Sequence, residues 1–489
     1  MSIFRNHLPI MGSSGQSTGY TIDQSIRFNA ADTAYMHRTP SSTGNRKTFT
    51  SSFWFKLGNV EVNTALPTPQ VTHGAGSSGL ALVANEGTLT AYTYYSGSWS
   101  GFLKTNRKFR DPSAWYHIVY VVDSTQAVAS ERIRIYVNGE RETSFSTESY
   151  LAQNQDTDWN LSGEKMWIGR DGSGSGYDGE YYAAEIHWLD GYAYGPEYFG
   201  EFKEDTDIWI PKEYDGSYGT NGFYIDGSDS GTLGKNVASG NTFASFTSSG
   251  FAANDQMIDT PTNNFCTINS VYADDSGTNS VTMSEGNLKM TATSSGFDLL
   301  ATTFLLPKSG KWYYEYTIGG GYDGFGFYIP SAAGTAGGAN GLGQLSTAQG
   351  GGIQYRGWRH GGSYTTTFAS YSSGVFSSGD IHQVAFDVDN GKLYYGISNA
   401  YQAADGGADG NPSSGTNHLF AFDFAGNDII IAHMVATDSN PEHLNFGQNG
   451  TFNGTKTAQG NSDSNSIGNF FYAVPTGFLS LCTSNLGAV

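Results

Sequence analysis

Cysteine, charge and long apolar runs are all scarce in this chain of 489 residues. Only Cys266 and Cys482 occur. A secreted disulfide scaffold would carry many more, so a reducing compartment and two reduced core thiols are expected, although spacing alone leaves open whether the two pair. Charged residues make up 14 % of the chain, against a usual ~25 %. Acids outnumber bases 45 to 25, for a net charge of −20 and a pI near 4.7. That balance argues against nucleic acid and against an anionic membrane surface as partners. No run reaches the ~18–20 apolar residues of a membrane span, and the longest, Trp115 to Val122, has the length of one strand. The opening MSIFRNHLPIMGSSG lacks the apolar core of a signal peptide. No GxSxG, HExxH or Cys/His zinc spacing occurs, and there are no heptads or repeats of roughly 20–50 residues.

Glycine and aromatics are abundant instead. The 65 glycines are about twice the usual ~7 %, and 31 Tyr, 30 Phe and 9 Trp bring the aromatics to 14 %. Short strands joined by tight turns have this composition, so the expected fold class is all-β. In RIRIYVNGERETSF, Ile133, Ile135 and Val137 share one face, and Asn138-Gly139 supplies a type I′ turn. A second hairpin of the same design places Val384, Phe386 and Val388 on one face, turns at Asn390-Gly391 and returns through Leu393, Tyr395 and Ile397. Thr48 to Lys56, Trp115 to Val122, Lys311 to Ile318 and Ile429 to Ile431 read as further strands. One short helix is expected around Pro196 to Phe202, with Pro196 in its first position. The composition shifts between Trp209 and Phe265 suggest an arm over 1–20, a first domain over 21–215, a Gly/Ser-rich linker over 216–262 and a second domain over 263–489.

The motifs FTSSFWFK, WYHIVYVVDS, IRIYVNGE, KMWIGRDG and AAEIHWLDGYAYGPEYF resemble, in that order, laminin-G-like domains of the concanavalin-A-like lectin/glucanase superfamily. The segment from WIPKEYDGSYGTNGFYIDGSD to DTPTNNFCTIN is similar to a block found in bacteriophage virion proteins, and GKWYYEYTI, GFGFYI, VAFDVDNGKLYYGI, LNFGQ and PTGFLSLCTSNL resemble a SPRY-type domain. The resemblance implies two jelly-roll, concanavalin-A-like β-sandwiches in tandem. It implies a non-enzymatic structural protein of the virion, assembled in the host cytoplasm: a tail fibre or similar adhesin. Its partners would be other virion proteins and host cell-surface polysaccharide, in a homo-oligomer with a trimer favoured. The alternatives are a capsid-decorating or connector subunit that binds only virion proteins, and a glycan depolymerase.

Two segments combine aromatics with polar side chains in the manner of sugar sites, where ring faces stack and hydroxyls hydrogen-bond. One is Tyr94, Tyr95 and Trp99; the other, favoured for its positive local charge, is Tyr355, Arg356, Trp358, Arg359, His360 and Tyr364. The depolymerase reading would use Glu185, His187 and Asp190, the nearest match to the paired carboxylates that glycoside hydrolysis needs, although His187 stands where a central carboxylate belongs. No catalytic residue and no cofactor is assigned. Calcium at loops such as Asp171 to Asp178 has no specific motif, and the acids of Asp387-Val388-Asp389-Asn390-Gly391 are those of a turn, since an EF-hand would need a bidentate Glu and flanking helices.

Overall fold

A computed structural model describes residues 19–58, 69–75, 78–83, 87–170, 179–239, 245–273, 281–293, 297–319, 323–329, 350–354, 357–360, 363–367, 376–402, 409–423, 427–436 and 440–487. The chain divides into two compact units, with Gln16–Asn263 in one and Asn264–Val489 in the other. Both are built from sheets that are antiparallel except where Leu479–Ser480 runs parallel to Lys311–Thr317, and the one α-helix among the described residues is Thr483–Leu486.

The first unit is a sandwich of two eight-stranded sheets. Sheet I runs Glu140–Arg141, Ile133–Val137, Trp115–Asp123, Thr48–Leu57, Tyr181–Asp190, Ser25–Phe28 and Gln256–Met257, with Phe223–Ile225 also pairing to Tyr181–Asp190. Sheet II runs Phe145–Ser149, Ser98–Thr105, Thr88–Tyr95, Ser78–Val83, Pro69–Ala75, Met166–Ile168, Tyr35–Arg38 and Thr247–Ser249. Between them lies one apolar cluster that includes Phe49, Phe53, Phe55, Leu80, Leu103, Ile118, Tyr120, Trp159, Ile168 and Trp188. The hairpin after Ile133–Val137 has its I′ turn, with φ of 49° at Asn138 and 82° at Gly139.

Sheet I is covered on its other face as well. Val119, Val121 and Leu189 point outward into a second cluster with Phe199, Tyr214 and Tyr218. This explains why the Trp115 run is continuously apolar rather than alternating. Of the short helix expected there, only the 3-10 turn Pro196–Tyr198 forms, because Gly200–Phe202 goes on to pair with Trp209–Pro211. The turn-rich stretch 216–262 supplies three short strands to the two sheets: Phe223–Ile225, Thr247–Ser249 and Gln256–Met257.

Two buried ion pairs hold the end of that stretch. Arg27 Nη2 lies 3.0 Å from Asp255 Oδ1, and Lys56 Nζ lies 2.8 Å from Asp259 Oδ2, with both side chains of the second pair fully buried. Asp259 also accepts from Trp115 Nε1 at 3.2 Å, and its carbonyl accepts from Ser25 Oγ at 2.6 Å.

The second unit has a seven-stranded sheet III and a nine-stranded sheet IV. The centre of sheet IV is Lys311–Thr317 beside Ile381–Asp387 and Lys392–Ile397. Trp312, Tyr314 and Tyr316 are buried as their alternation implies, yet so are Tyr313 and Glu315 on the reverse face. That face packs on Phe470 and Phe478, and Glu315 accepts from the Phe471 and Tyr472 amides at 2.8 and 2.7 Å, from Tyr313 Oη at 2.8 Å and from Asn445 Nδ2. The turn of this hairpin spans four residues, Val388 to Gly391, closed by Asp387 opposite Lys392; Gly391 has a positive φ and Asn390 does not, so the expected two-residue I′ turn at Asn390-Gly391 does not form. Asp389 Oδ1 accepts from the Gly310 amide, and Asp387 accepts from Asn390, so both acids serve the turn. Cys266 and Cys482 are buried and not joined in a disulfide; Phe265 is bridged to Cys482 while the Cys266 amide donates to Leu481, so the two cysteines alternate to opposite sides.

Inside the second unit His382 and His433 are fully enclosed, and burial lowers each pKa to about 3. His433 Nδ1 lies 2.5 Å from Glu442 Oε1, a pair that holds one proton and no net charge whichever atom carries it. Burial pushes Glu315 up to about 7 against the four hydrogen bonds that pull it down.

Two outcomes follow from these buried groups. Asp259→Ala strands the Lys56 ammonium and is expected to cost about 3–5 kcal/mol of stability, while the double change Lys56→Met with Asp259→Leu recovers most of it; denaturant titration of the three proteins measures both. In the second unit, acidification from pH 6.5 to 4.5 takes His382 and His433 of the unfolded chain from half to full protonation, so that together they come to hold two protons. The folded chain already holds one on the His433–Glu442 pair and one on Glu315. These groups therefore leave stability level in that window. Below about pH 4.5 the unfolded carboxylates protonate too, and stability falls by up to ~1.4 kcal/mol per pH unit for each excess proton. Urea titrations at stepped pH check this, and a decline already under way at pH 6 would show that Glu315 stays ionised.

Candidate functional site

The Thr88–Tyr95 and Ser98–Thr105 strands form a hairpin whose turn takes positive φ at Ser96 and Gly97. Leu89, Ala91 and Leu103 point into the sandwich. Tyr92, Tyr94 and Phe102 therefore face away from it. Regular pairing would send Trp99 inward with Leu103, but the register shifts between Thr93 and Tyr94, so that Trp99 lies opposite Tyr94. The bulge brings Trp99 onto the outer face, where it contacts Tyr94 edge-on at 5.3 Å, Tyr92 at 5.5 Å and Phe102 at 6.4 Å between centroids. Trp99 remains 62 % exposed, the highest value among the exposed large hydrophobic residues described. Gly79 sits beside Tyr92 in the next strand, and a Cβ there would lie 2.4 Å from the phenol ring. Only glycine lets that ring lie across its neighbour.

Of the residues expected at this segment, Tyr94 and Trp99 are thus together in one aromatic cluster. Tyr95 packs separately, its ring 5.5 Å from the Arg46 guanidinium. Tyr92 and Phe102 were not among the expected residues. Their signal was the strand alternation of Thr88–Tyr95 and the hairpin register, which bring residues ten apart side by side.

The second expected segment is only partly placed. Tyr355 and Arg356 lie outside the described residues, as does the Asp171 to Asp178 loop. Trp358, Arg359 and His360 lie on the strand Gly357–His360, which pairs with Ser363–Thr367 so that Arg359 stands opposite Tyr364. These are the last two strands at one edge of sheet III.

The carboxylate candidates separate. In Tyr181–Asp190, Ala184 pairs with Trp54 and His187 with Ser52, so Glu185 and Ile186 together oppose Phe53. Glu185 takes φ 51° at this bulge. The extra residue keeps Ile186 and Trp188 in the core and turns Glu185 to the outer side with His187. Both Glu185 oxygens are engaged: Tyr20 Oη donates to Oε2 at 2.8 Å and Tyr224 Oη to Oε1 at 2.7 Å, with His187 Nε2 at 3.5 Å from Oε2. His187 stacks on Tyr224 at 4.3 Å and bonds Tyr218 Oη at 3.0 Å. Burial first, then the Glu185 charge, raises the pKa of Tyr20 and Tyr224. Both phenols stay protonated and remain donors. Asp190 serves elsewhere, accepting from the Asn45 and Asn221 amides and from Asn160 Nδ2.

Beside them His117 is buried between Trp54 and Trp209. Trp209 Nε1 donates to its Nδ1 at 3.0 Å, so the ring proton sits on Nε2 and faces Ser52 Oγ at 2.8 Å. Burial, and then His187, lower its pKa to about 3, in keeping with that neutral tautomer. Among the described residues no cluster of three or more His, Cys, Asp or Glu side chains has the geometry to hold a metal ion. No helix among them is long and apolar enough to cross a membrane.

Comparison with known proteins adds one family match. The model of the concanavalin A-like lectin/glucanases superfamily matches residues 29–188. No curated protein matches the chain. Among solved structures, the SPRY domain of human HERC1 is similar at 13 % identity over 36 % of this chain and 96 % of that one, with a TM-score of 0.26. Domains LG4-5 of the mouse laminin alpha1 chain are similar at 8 % identity over 84 % of this chain and 83 % of theirs, with a TM-score of 0.27. Residues 29–188 thus carry a concanavalin-A-like sandwich of the laminin-G type, within a chain whose described residues form β-sheets in both units.

Proposed function

We propose that the protein is a non-enzymatic carbohydrate-binding adhesin that engages glycans through the outer face of sheet II. The observation that carries this reading is Trp99, exposed and braced by Tyr92, Tyr94 and Phe102. A flat, water-facing indole held by neighbouring rings presents a π-face to the C–H face of a sugar at little cost in side-chain entropy. The edge hairpin Gly357–His360 with Ser363–Thr367 is a second site on the same reading, since it carries Trp358, Arg359, His360 and Tyr364. Weak sites of this kind gain from repetition on one particle. The motif order read from the sequence supports a tail fibre or similar adhesin of a phage virion, with host cell-surface polysaccharide as its ligand.

The Glu185 geometry supports binding without turnover. Glycoside hydrolysis requires two carboxylates flanking a bond, whereas both oxygens of Glu185 are occupied by tyrosine hydroxyls and Asp190 is committed to backbone and asparagine donors.

Trp99→Ala is expected to weaken binding to host polysaccharide about tenfold, a loss of ~1.4 kcal/mol, with an unchanged melting temperature; Trp358→Ala tests the second site in the same assay. Full adsorption by both variants would turn the reading towards a connector subunit. Glu185→Gln is expected to leave adsorption intact, and a reducing-end release that disappears in that variant would establish a depolymerase.

A further inference from the structure

The register of sheet II places the Trp99 cluster at one end of a longer feature. Cross-strand partners form an unbroken row over the whole sheet: Ser149, Phe102, Tyr92, Gly79, Gly74, Trp167, His37 and Thr247. The residues that alternate with it, among them Leu103, Ala91, Leu80, Met166, Ile168 and Met36, are in the core. The row therefore lies on the outer face. At its centre two glycines stand side by side, with no side chain rising from either.

Aromatic groups rise on both sides of this floor. On one side stand Tyr92, Phe102 and Trp99. On the other, Trp167 packs against His37 at 5.0 Å and Tyr35 at 5.6 Å. Three strand spacings separate Tyr92 from Trp167, about 14 Å, and five separate Phe102 from His37, about 24 Å. The second side also carries positive charge. Lys165 Nζ lies 5.0 Å from the Trp167 ring centroid, and the Arg170 guanidinium lies 3.9 Å from that of Tyr35. In a chain of net charge −20, two cations held over aromatic faces at one end of a shallow trough are a local reversal of sign.

We infer that this trough binds an extended acidic polysaccharide strand, laid across the β-strands, with neutral sugar faces on the Trp99 side and an anionic group beside Lys165 and Arg170. The inference rests on the carbohydrate-binding reading and deepens it. The length of the row selects for a chain of several sugars over a single one. Over Gly79 the Tyr92 ring itself forms the floor, so a bound strand meets an aromatic face there. The guanidinium and ammonium recognise a carboxylate, with electrostatics that salt screens.

The test uses the full chain and four proteins: wild type, Trp99→Ala, Trp167→Ala and the double variant Lys165→Gln with Arg170→Gln. The probes are polygalacturonate octamers and dimers, and neutral maltodextrins of the same lengths, in a calorimetric or fluorescence titration. The expected result is octamer binding by wild type that weakens with added salt and falls about tenfold in each variant. Dimers and maltodextrins are expected to bind weakly and to be indifferent to the charge change. Lys165 is exposed and Arg170 half-buried, and neither is in the core, so the double variant remains informative if Trp167→Ala misfolds. Octamer binding lost in Trp99→Ala but retained by the other two variants would overturn the trough and leave the carbohydrate reading standing. Equal binding of maltodextrin octamers would overturn the acidic assignment. No binding of any probe by wild type would overturn the inference, while host adsorption sensitive to Trp99 would still uphold the broader reading.

Discussion

The first unit depends on the ion pair between Lys56 and Asp259, both fully buried. Removing an ammonium and a carboxylate from water is so costly that the pair persists only when every other donor and acceptor around it is satisfied. Asp259 meets that condition by reaching three elements at once: Lys56 on one strand, Trp115 on another and Ser25 on a third. Arg27 and Asp255 repeat the device one turn earlier. Together they draw the chain near residue 260 back to where the unit begins, so that Ile22 and Thr262 exchange hydrogen bonds. The unit enters and leaves at one place, and its outer strands have fixed registers.

That closure decides what the outer face of sheet I can do. With 192–224 laid across it, the face is an interior. The Glu185 bulge, which would otherwise put a strained carboxylate in solvent, becomes part of the packing. Tyr20, Tyr224, His187 and Tyr218 then form a hydrogen-bonded chain that engages both oxygens of Glu185. A bulge in the Ser98–Thr105 hairpin does the opposite: it takes Trp99 out of the core sequence of alternation and exposes it. The same local irregularity is packed into an interior on one sheet and left exposed on the other, and the difference is whether a covering layer exists.

Much of this was legible in the residues. Composition and the two Asn-Gly hairpins carry the all-β class, and the alternation in RIRIYV is reproduced as a half-buried strand. What could not be read was any consequence of covering layers or bulges. The stretch 216–262 has the composition of a linker because its strands are only two or three residues long and the turns between them dominate, yet Phe223 and Ile225 are core residues. The Pro196 segment reads as a helix because Pro favours a first turn, but pairing of Gly200–Phe202 with Trp209–Pro211 overrides it. Lys311–Thr317 shows one apolar face in sequence, and Glu315 hides its burial because a carboxylate suggests solvent until its four donors are seen. At the Trp99 site the exposed indole was visible in a Gly/Ser-rich turn, whereas Tyr92 and Phe102 belong to it only through register.

Sheet register explains how the outward aromatics of sheet II are spaced. A protein whose aromatics are this numerous cannot bury every one, and exposed rings invite association unless they are spaced and rimmed by polar groups. On sheet II the outward aromatics are divided by the Gly79 and Gly74 pair into two clusters instead of one continuous apolar patch. Each cluster has its own polar border, Ser149 on one side, and Lys165 and Arg170 on the other. A larger side chain at Gly79 would displace the Tyr92 ring from its place over the strand.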